Sequence, residues 1–289
     1  QLNEVIVPYS KIDEARQEQA DKFYTSVRNS FEGDPEGAQR FITDYSTDES
    51  FAQFMTDTKR VVNVMAKEYE LRKAAYQYSR ASTSRSGALN MDRLHEYKIN
   101  EDIFRRVTTL ADAKSHGMVM MIDNSASMQE ALGPVIRQVL TLAMFCKRIN
   151  IPFDVYSFTN SRKNIDTQDG VASDCIRHLD VQLTHQLSSS FGRQVYDKAF
   201  RQLYDLSRGK RFAIGSYDMM SGTPLNDILT GTHMLLKDFK AKYGVQKVIF
   251  SLLTDGASHP INALSMLSCR KKCKIALAES NTKVTGTNR

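Results

Sequence analysis

Three oxygen-bearing side chains stand close together just after an apolar segment near the middle of the chain. Residues 117–128 read GMVMMIDNSASM, so Asp123, Ser125 and Ser127 follow a run of apolar residues. Such a run indicates a strand buried on both faces of a parallel sheet, and ligands of open α/β sheets bind outside the carboxyl ends of these strands. Carboxylate and hydroxyl oxygens suit Mg²⁺. The segment therefore predicts a magnesium site, with Mn²⁺ or Ca²⁺ as alternative metals.

Two later segments supply further oxygen donors. Residues 221–225 read SGTPL and place Thr223 in a Gly/Pro turn before a helical pattern, while residues 248–256 read VIFSLLTDG and end a second apolar run at Asp255. Mg²⁺ takes near-octahedral oxygen coordination and keeps several waters, so two carboxylates and three hydroxyls leave room for an oxygen of a ligand. The alternative is structural, because Ser, Asp and Thr often cap helices or form turns. That alternative explains each segment separately but not their joint order.

In this order, the three segments resemble the metal-ion-dependent adhesion site of von Willebrand factor A (VWA) domains. The D-x-S-x-S pattern, the GTPL-type loop and the TDG turn are each common alone, and their succession makes the resemblance specific. The resemblance implies an α/β fold, a Rossmann-like VWA domain whose mostly parallel sheet carries helices on both faces. It also implies that the metal ligands are Asp123, Ser125, Ser127, Thr223 and Asp255.

The segment before the site carries a second, more local resemblance. Residues 85–97 read RSGALNMDRLHEY, and residues 83–128 are similar to the VWA subunit of the cobalt chelatase type and its phage relatives. This resemblance implies a bacterial or phage protein that works beside an AAA+ ATPase ring of the chelatase or MoxR type and couples it to a client protein. An acidic residue of the partner would complete the Mg²⁺ coordination. Four arginines form either a solvated basic face or a docking surface for an acidic partner or a nucleotide phosphate: Arg85, Arg93, Arg105 and Arg106.

No sequence pattern for catalysis accompanies the predicted metal site. The chain has neither a Walker A sequence nor G-x-G-x-x-G, and no H-E-x-x-H spacing connects its histidines, which are His95, His116, His178, His185, His233 and His259. A serine nucleophile needs an orienting base, and none is visible in the sequence beside Ser125 or Ser127. We therefore expect a non-catalytic binding protein, for example the non-catalytic subunit of an ATP-dependent chelatase-like complex. A structural or adhesive VWA protein, such as a virion component, and an RNA-binding scaffold are the alternatives.

Composition agrees with a cytoplasmic binding protein. The chain has 289 residues, of which 41% are hydrophobic and 25% charged, and a net charge of +6. No apolar run approaches the roughly 20 residues of a membrane span, and the first residues lack a signal-peptide pattern. The cysteines are too scattered for a disulfide framework, so reduced thiols are expected at Cys146, Cys175, Cys269 and Cys273. The positive charge permits an acidic partner, whereas nucleic acid is not favoured because the N-terminal region shows no helical repeats.

Strands and helices alternate after residue 117, which predicts a mostly parallel sheet that positions the site. We predict helices over 131–148, 194–207 and 225–243 and strands over 118–123, 152–158 and 247–254, with a further candidate strand over 176–183 in an otherwise irregular segment, 159–192.

The residues before 82 are predicted to be helical. Helical patterns cover 13–31, 35–45 and a longer stretch from 47 to 81, whereas residues 82–87 predict a loop. The apolar stripe of the longest helix, from Phe51 to Tyr76, is expected to form core against neighbouring helices, with a partner-binding surface as the alternative.

The expected organisation has three parts: a helical N-terminal region (1–82), a linker or docking segment (83–116) and a VWA domain (117–289). Beyond Asp255 we expect only a short helix over 261–267 and a short strand over 274–277. The VWA domain is therefore expected to be shortened or truncated at its C-terminal end.

Overall fold

A computed structural model of the chain describes residues 6–31, 33–46, 49–79, 82–91, 98, 104–109, 115–160 and 181–256. The α-helices are α1 (Tyr9–Ser30), α2 (Pro35–Ser46), α3 (Glu49–Ser79), α4 (Leu132–Arg148), α5 (Arg193–Ser207) and α6 (Leu225–Tyr243). The strands are β1 (Ile6–Val7), β2 (Ser82–Leu89), β3 (Phe104–Thr109), β4 (His116–Asp123), β5 (Phe153–Asn160), β6 (Val181–Ser188) and β7 (Lys247–Leu253). None of the described helices is both long and apolar enough to cross a lipid bilayer.

Five of these strands form one sheet, in the order β1-β6-β5-β4-β7. Strand β4 lies in the middle and pairs in parallel with both neighbours, so that Met120 lies beside Val155 on one side and Ser251 on the other. Only the β5–β6 pair is antiparallel. The prediction of an α/β fold with a mostly parallel sheet is confirmed, and this architecture is compatible with a Rossmann-like fold.

Alternate residues of β4 enter two separate hydrophobic cores. Met120 and Ile122 pack against α4 and α5 on one face of the sheet, whereas Val119 and Met121 pack with α6 on the other. This arrangement follows from the alternation of side chains along a strand. Burying side chains of this size stabilises the fold by about 1.5–3 kcal/mol each, so β4 is held firmly up to its last residue, Asp123.

The N-terminal helices pack directly on this α/β unit. Strand β1 adds a parallel edge to β6, with Ile6 beside Leu183, and α1 buries Tyr9, Ile12 and Arg16. The start of α3 also packs on the core, through Phe51 and its neighbours Phe54 and Met55. The far half of α3 is different, because Leu71, Tyr76 and Tyr78 are exposed. The prediction of a helical N-terminal region is confirmed in part, because α1, α2 and α3 are helices but Ile6–Val7 form a strand. The expected core packing of α3 extends from Phe51 to Tyr69, whose ring meets Phe145.

Two sequence expectations are wrong in detail. Residues 82–87, expected to form a loop, belong to β2, which pairs with β3 in an antiparallel hairpin. The β-branched residues of β3, such as Val107 and Thr108, favour this pairing. The second difference is the end of β6, which runs over Val181–Ser188 and thus continues five residues beyond the predicted end at 183; residues 176–180 of the predicted strand lie outside the described residues. Two of its polar residues, Thr184 and Gln186, are buried and hydrogen-bonded, and their polarity hid the strand.

The remaining elements predicted from the sequence lie outside the described residues. They are the candidate helix at 261–267 and the candidate strand at 274–277. Arg93 is outside the description too, as are the side chains of Arg85, Arg105 and Arg106. The boundaries at residues 82 and 116 stay predictions, although the packing of α1 and β1 shows that residues before 82 contact the sheet.

Candidate metal site

The predicted ligands come together at the carboxyl edge of the sheet. Because β4 and β7 are parallel neighbours, the residues that follow them lie side by side. The Thr254 hydroxyl, just after β7, donates a hydrogen bond to Asp123 Oδ2 over 2.7 Å. The next residue, Asp255, is exposed; burial raises the pKa of Asp123, and the negative charge of Asp255 adds to that rise. The two carboxylates therefore share one electrostatic site.

The loop after β4 contributes the two serines. Ser125 is buried and Ser127 is exposed, and their hydroxyl oxygens lie 3.1 Å apart. The backbone of this loop is fixed from the side, because the Ala126 amide donates to the Ser221 carbonyl over 2.9 Å. Ser125 and Ser221 form an isolated parallel bridge, which joins the first loop of the site to the loop that carries the threonine.

Thr223 is held between that loop and the end of β5. The Gly222 carbonyl accepts a hydrogen bond from the Asn160 amide over 3.2 Å, and Thr223 itself is buried. Helix α6 begins two residues later, at Leu225. Asp123 at the end of β4 and the four other predicted ligands, on loops, thus lie at the same edge of the sheet, connected by backbone hydrogen bonds or by the Thr254–Asp123 contact.

Asp123 is in an electrostatic environment that suits a bound cation. Its side chain is 0% exposed, and its Oδ1 atom has no hydrogen-bond partner among the described residues. Burial is the largest influence and raises the pKa of this carboxyl, as does Asp255, while hydrogen bonds from Thr254 and Ser125 lower it. A buried carboxylate oxygen without a partner is energetically costly. A cation at this position would compensate both carboxylates.

The five residues also fit Mg²⁺ in their chemistry. They offer two carboxylates and three hydroxyls, all of them hard oxygen donors. Asp123, Ser125 and Thr223 form a buried floor, whereas Ser127 and Asp255 form an exposed rim. Three of the five proposed donors are hydroxyl oxygens, and no group of three or more His, Cys, Asp or Glu side chains with metal-binding geometry occurs in the described part of the chain. The exposed rim lets an oxygen atom from another molecule reach the site.

The part of the structural alternative in which Asp123, Ser125 and Thr223 cap the following α-helices is not what the structure shows; the alternative of an ordinary turn at Asp255 stays open. Helix α4 begins after Ala131, well beyond the serines, and the N-cap of α6 is Pro224 rather than Thr223. Ser125 precedes a short 3₁₀ turn (Ala126–Gln129), but its side chain makes no capping hydrogen bond. The side chains of Asp123, Ser125 and Thr223 are therefore not committed to capping.

Sequence reasoning missed a buried ion pair behind the site. Arg16 of α1 donates from Nε and Nη2 to the two carboxylate oxygens of Asp218, each over 2.7 Å, and from Nη2 to Gln186 Oε1 over 2.8 Å. The Asp218 carbonyl in turn accepts a hydrogen bond from the Asn124 side chain over 3.0 Å. Asn124 lies between two predicted ligands, so α1 braces the metal-site loops from within.

One sequence signal could have identified Arg16. It follows Tyr9 and Ile12 at intervals of three and four residues, which places it on the buried face of the helix. An arginine on such a face requires a buried acidic or amide partner. Nothing in the local sequence names Asp218 as that partner, because the two residues are 202 positions apart.

A second polar cluster lies at the opposite edge of the sheet and does not form a hydrolase triad. Asp154 accepts a hydrogen bond from the Tyr243 hydroxyl over 3.1 Å and has His185 Nε2 at 3.5 Å. The buried Ser188 hydroxyl lies 3.0 Å from Tyr243. A triad requires the serine to face the histidine, whereas here Asp154 lies between them in the hydrogen-bond network. This arrangement stabilises the start of β5.

Comparisons of the chain with protein-family models, with curated proteins and with solved structures found no match. The fold class and the geometry of the site therefore rest on the chain's own sequence and structure, and the VWA family enters as a proposal.

Proposed function

We propose that the protein is a non-catalytic VWA-type adaptor that binds a partner through Mg²⁺ at the carboxyl edge of its sheet. The observation that carries this proposal is the buried Asp123 carboxylate, whose Oδ1 has no hydrogen-bond partner among the described residues. Hydroxyl donors from two further loops lie beside it. Folding alone does not require a buried carboxylate oxygen without a hydrogen-bond partner.

The chain's own residues divide the task between them. Asp123, Ser125 and Thr223 would hold the metal from the buried side, and Ser127 and Asp255 would complete the donor set at the rim. When bound, Mg²⁺ supplies a coordination position that a carboxylate oxygen of the partner can take from water. Binding of this kind depends on the metal and on an acidic residue of the partner, and it requires no group that transfers a proton.

The identity of the partner is a further part of the proposal. The similarity of residues 83–128 to chelatase-type VWA subunits supports an AAA+ ATPase ring as partner and a client protein as the second ligand, in the cytoplasm of a bacterium or of a phage-infected cell. The geometry of the site supports the metal-dependent contact but does not bear on which protein makes it.

Two measurements test the proposal. Isothermal titration calorimetry with MgCl₂ should detect one site in the wild type and none in Asp123→Ala, while Asp44→Ala, which removes an exposed carboxylate on α2, should bind as the wild type does. A pull-down from the native host with Mg²⁺ or with EDTA should recover an AAA+ ATPase with the wild type and with Asp44→Ala, and only when Mg²⁺ is present.

The outcomes separate the possible functions. Equal recovery of the ATPase by Asp123→Ala would exclude a metal-bridged contact. Recovery of a virion protein instead would support a structural or adhesive role. Binding of RNA whose affinity falls steeply with salt would favour the scaffold alternative.

A further inference from the structure

A cleft lies between α3, α4 and α5, away from the candidate metal site. It has a volume of about 730 Å³, within the usual range for ligand pockets. Helix α4 starts beside the metal-site loop and has 17 residues, so its far end is roughly 25 Å away at 1.5 Å per residue. Lys147 and Arg148 of that last turn line the cleft. The cleft and the metal site are thus separate places on the surface.

The floor of the cleft is apolar and adaptable. Phe51 and Met55 of α3 and Met144 of α4 line it, and all three are only partly buried. Methionine side chains are flexible and polarizable, which suits a surface that must accommodate another protein's side chains. The floor is therefore an apolar surface that is partly exposed to solvent.

The rim of the cleft is positively charged. Lys59, Lys147 and Arg148 line it, and none of the three forms an ion pair with another described residue. The one acidic residue of the lining, Asp197, has Arg193 Nε at 3.9 Å. Lys147 Nζ lies 3.3 Å from the centre of the Tyr196 ring, and burial lowers the pKa of this lysine. Asp197 also acts on Lys147 through its negative charge, but it is the one acidic residue of a lining that contains Lys59, Lys147, Arg148 and Arg201, so positive charge is in excess around the apolar floor.

The helix dipole explains only part of this arrangement. Lys147 and Arg148 lie in the last turn of α4, where cations commonly offset the negative end of a helix. Lys59 is on a different helix, in the middle of α3, and no such rule applies there. Three cations on two helices, with a single acidic residue in the lining, form a complementary surface for an acidic and apolar ligand.

We propose that this cleft docks an acidic amphipathic helix of a partner protein. A helix-in-groove contact places apolar side chains at helical spacing against the floor, and its acidic residues meet the cations on both walls.

Two occupants from this chain itself have the wrong charge. Residues 257–289 contain one acidic residue, Glu279, against six Lys and Arg residues. A second copy would bring a net charge of +6 to a basic surface. Charge complementarity therefore points to a different, acidic chain. This docking surface is independent of the metal-dependent contact proposed above.

The test uses the whole protein and a defined probe. The probe is a fluorescein-labelled, 16-residue helical peptide with leucines at i, i+3, i+4 and i+7 spacing and glutamates at most other positions. Fluorescence anisotropy measures its affinity with Mg²⁺ and with EDTA. We expect binding that is equal in both buffers and that becomes at least tenfold weaker in the variant Lys59→Glu/Arg148→Glu.

A matched variant controls for net charge. Lys237→Glu/Lys240→Glu makes the same change of charge at exposed positions of α6, including one in its last turn, and should alter the affinity less than twofold. In methyl NMR spectra, the peptide should shift the signals of Met55 and Met144 and leave that of Met128, in the metal-site loop, unchanged.

The opposite results overturn the proposal. Equal weakening in both double variants would mean that only net charge attracts the peptide. Loss of binding in EDTA would place the peptide at the metal site, and no binding to the wild type at millimolar peptide would remove the docking surface altogether. A dimer detected by sedimentation velocity that Lys59→Glu/Arg148→Glu abolishes would identify a second copy as the occupant.

Discussion

Replacing Arg16 by methionine tests whether the buried ion pair between α1 and the metal-site loops stabilises the fold. Arg16 is 2% exposed, and its guanidinium meets both carboxylate oxygens of Asp218. Methionine has a similar length but carries no charge and no donor. In Arg16→Met, Asp218 stays buried and keeps only the weaker donors Gly215 N, at 3.1 Å, and Gln186 Nε2, at 3.4 Å.

The expected loss follows from this burial. Removing one partner of a buried ion pair costs about 3–5 kcal/mol, because the other charge remains uncompensated. The free energy of unfolding of a protein is about 5–15 kcal/mol in total, so Arg16→Met loses a large share of it. The double variant Arg16→Met/Asp218→Asn removes the leftover charge as well. We expect it to be more stable than Arg16→Met by about 1–3 kcal/mol, the cost of leaving a buried polar group without its partner.

Urea unfolding followed by far-UV circular dichroism measures these differences. Lys198→Met is the matched control, because Lys198 Nζ also joins α5 to α1, at 2.7 Å from Asp13, but the two side chains are 45% and 20% exposed. Exposed ion pairs contribute about 1 kcal/mol or less. A loss in Arg16→Met no larger than that in Lys198→Met, or a double variant less stable than Arg16→Met, would refute the reasoning.

Three further predictions concern other buried groups. Asp123→Asn should raise the melting temperature in EDTA, because it removes a buried charge, and should abolish the rise in melting temperature that Mg²⁺ produces in the wild type. Scanning fluorimetry measures both melting temperatures. A melting temperature in EDTA below that of the wild type would contradict the expected gain in stability. Burial raises the pKa of Cys146 to about 12, so iodoacetamide near neutral pH should modify it only after unfolding, as peptide mass spectrometry can show. Burial acts to raise the pKa of Asp154, but hydrogen bonds from His185 and Ser188 and nearby positive charge outweigh it and lower the pKa. The ordinary pKa of an aspartate is about 4, so Asp154 contributes its full stabilisation above about pH 4 and loses it as the pH falls through the lower pKa of the folded state. Urea unfolding midpoints measured across acidic pH should therefore fall less steeply in Asp154→Asn than in the wild type.

The parts of the fold that the sequence predicts well are those with local signals. Helix α6 has the predicted bounds, Leu225–Tyr243, because a helical apolar pattern begins after Pro224 and ends before Gly244. That glycine adopts φ +62°, the left-handed conformation that commonly ends a helix. Strands β4 and β7 were equally predictable, since each is an apolar run that ends in polar residues.

The parts that the sequence does not predict depend on distant partners. Gln186 looks like a surface residue until its contacts with Arg16 and with the Ser157 hydroxyl are known. The same holds for the strand that carries it, β6, whose C-terminal half was expected to be irregular. Thr254 is a further example, because its role as donor to Asp123 depends on β7 lying beside β4. Local patterns determine the elements, and the order of strands in the sheet determines which polar groups meet.

A buried polar group without a hydrogen-bond partner supports a binding site at the carboxyl edge of the sheet. Asp123 keeps one buried oxygen without a partner among the described residues. A fold gains nothing from such an arrangement, because burying a polar group without a hydrogen bond destabilises it. A ligand that binds the folded state offsets that loss by mass action. Asp123 therefore lowers the stability of the metal-free protein and supports metal binding, so Asp123→Asn should increase the stability of the metal-free protein and abolish the binding of Mg²⁺.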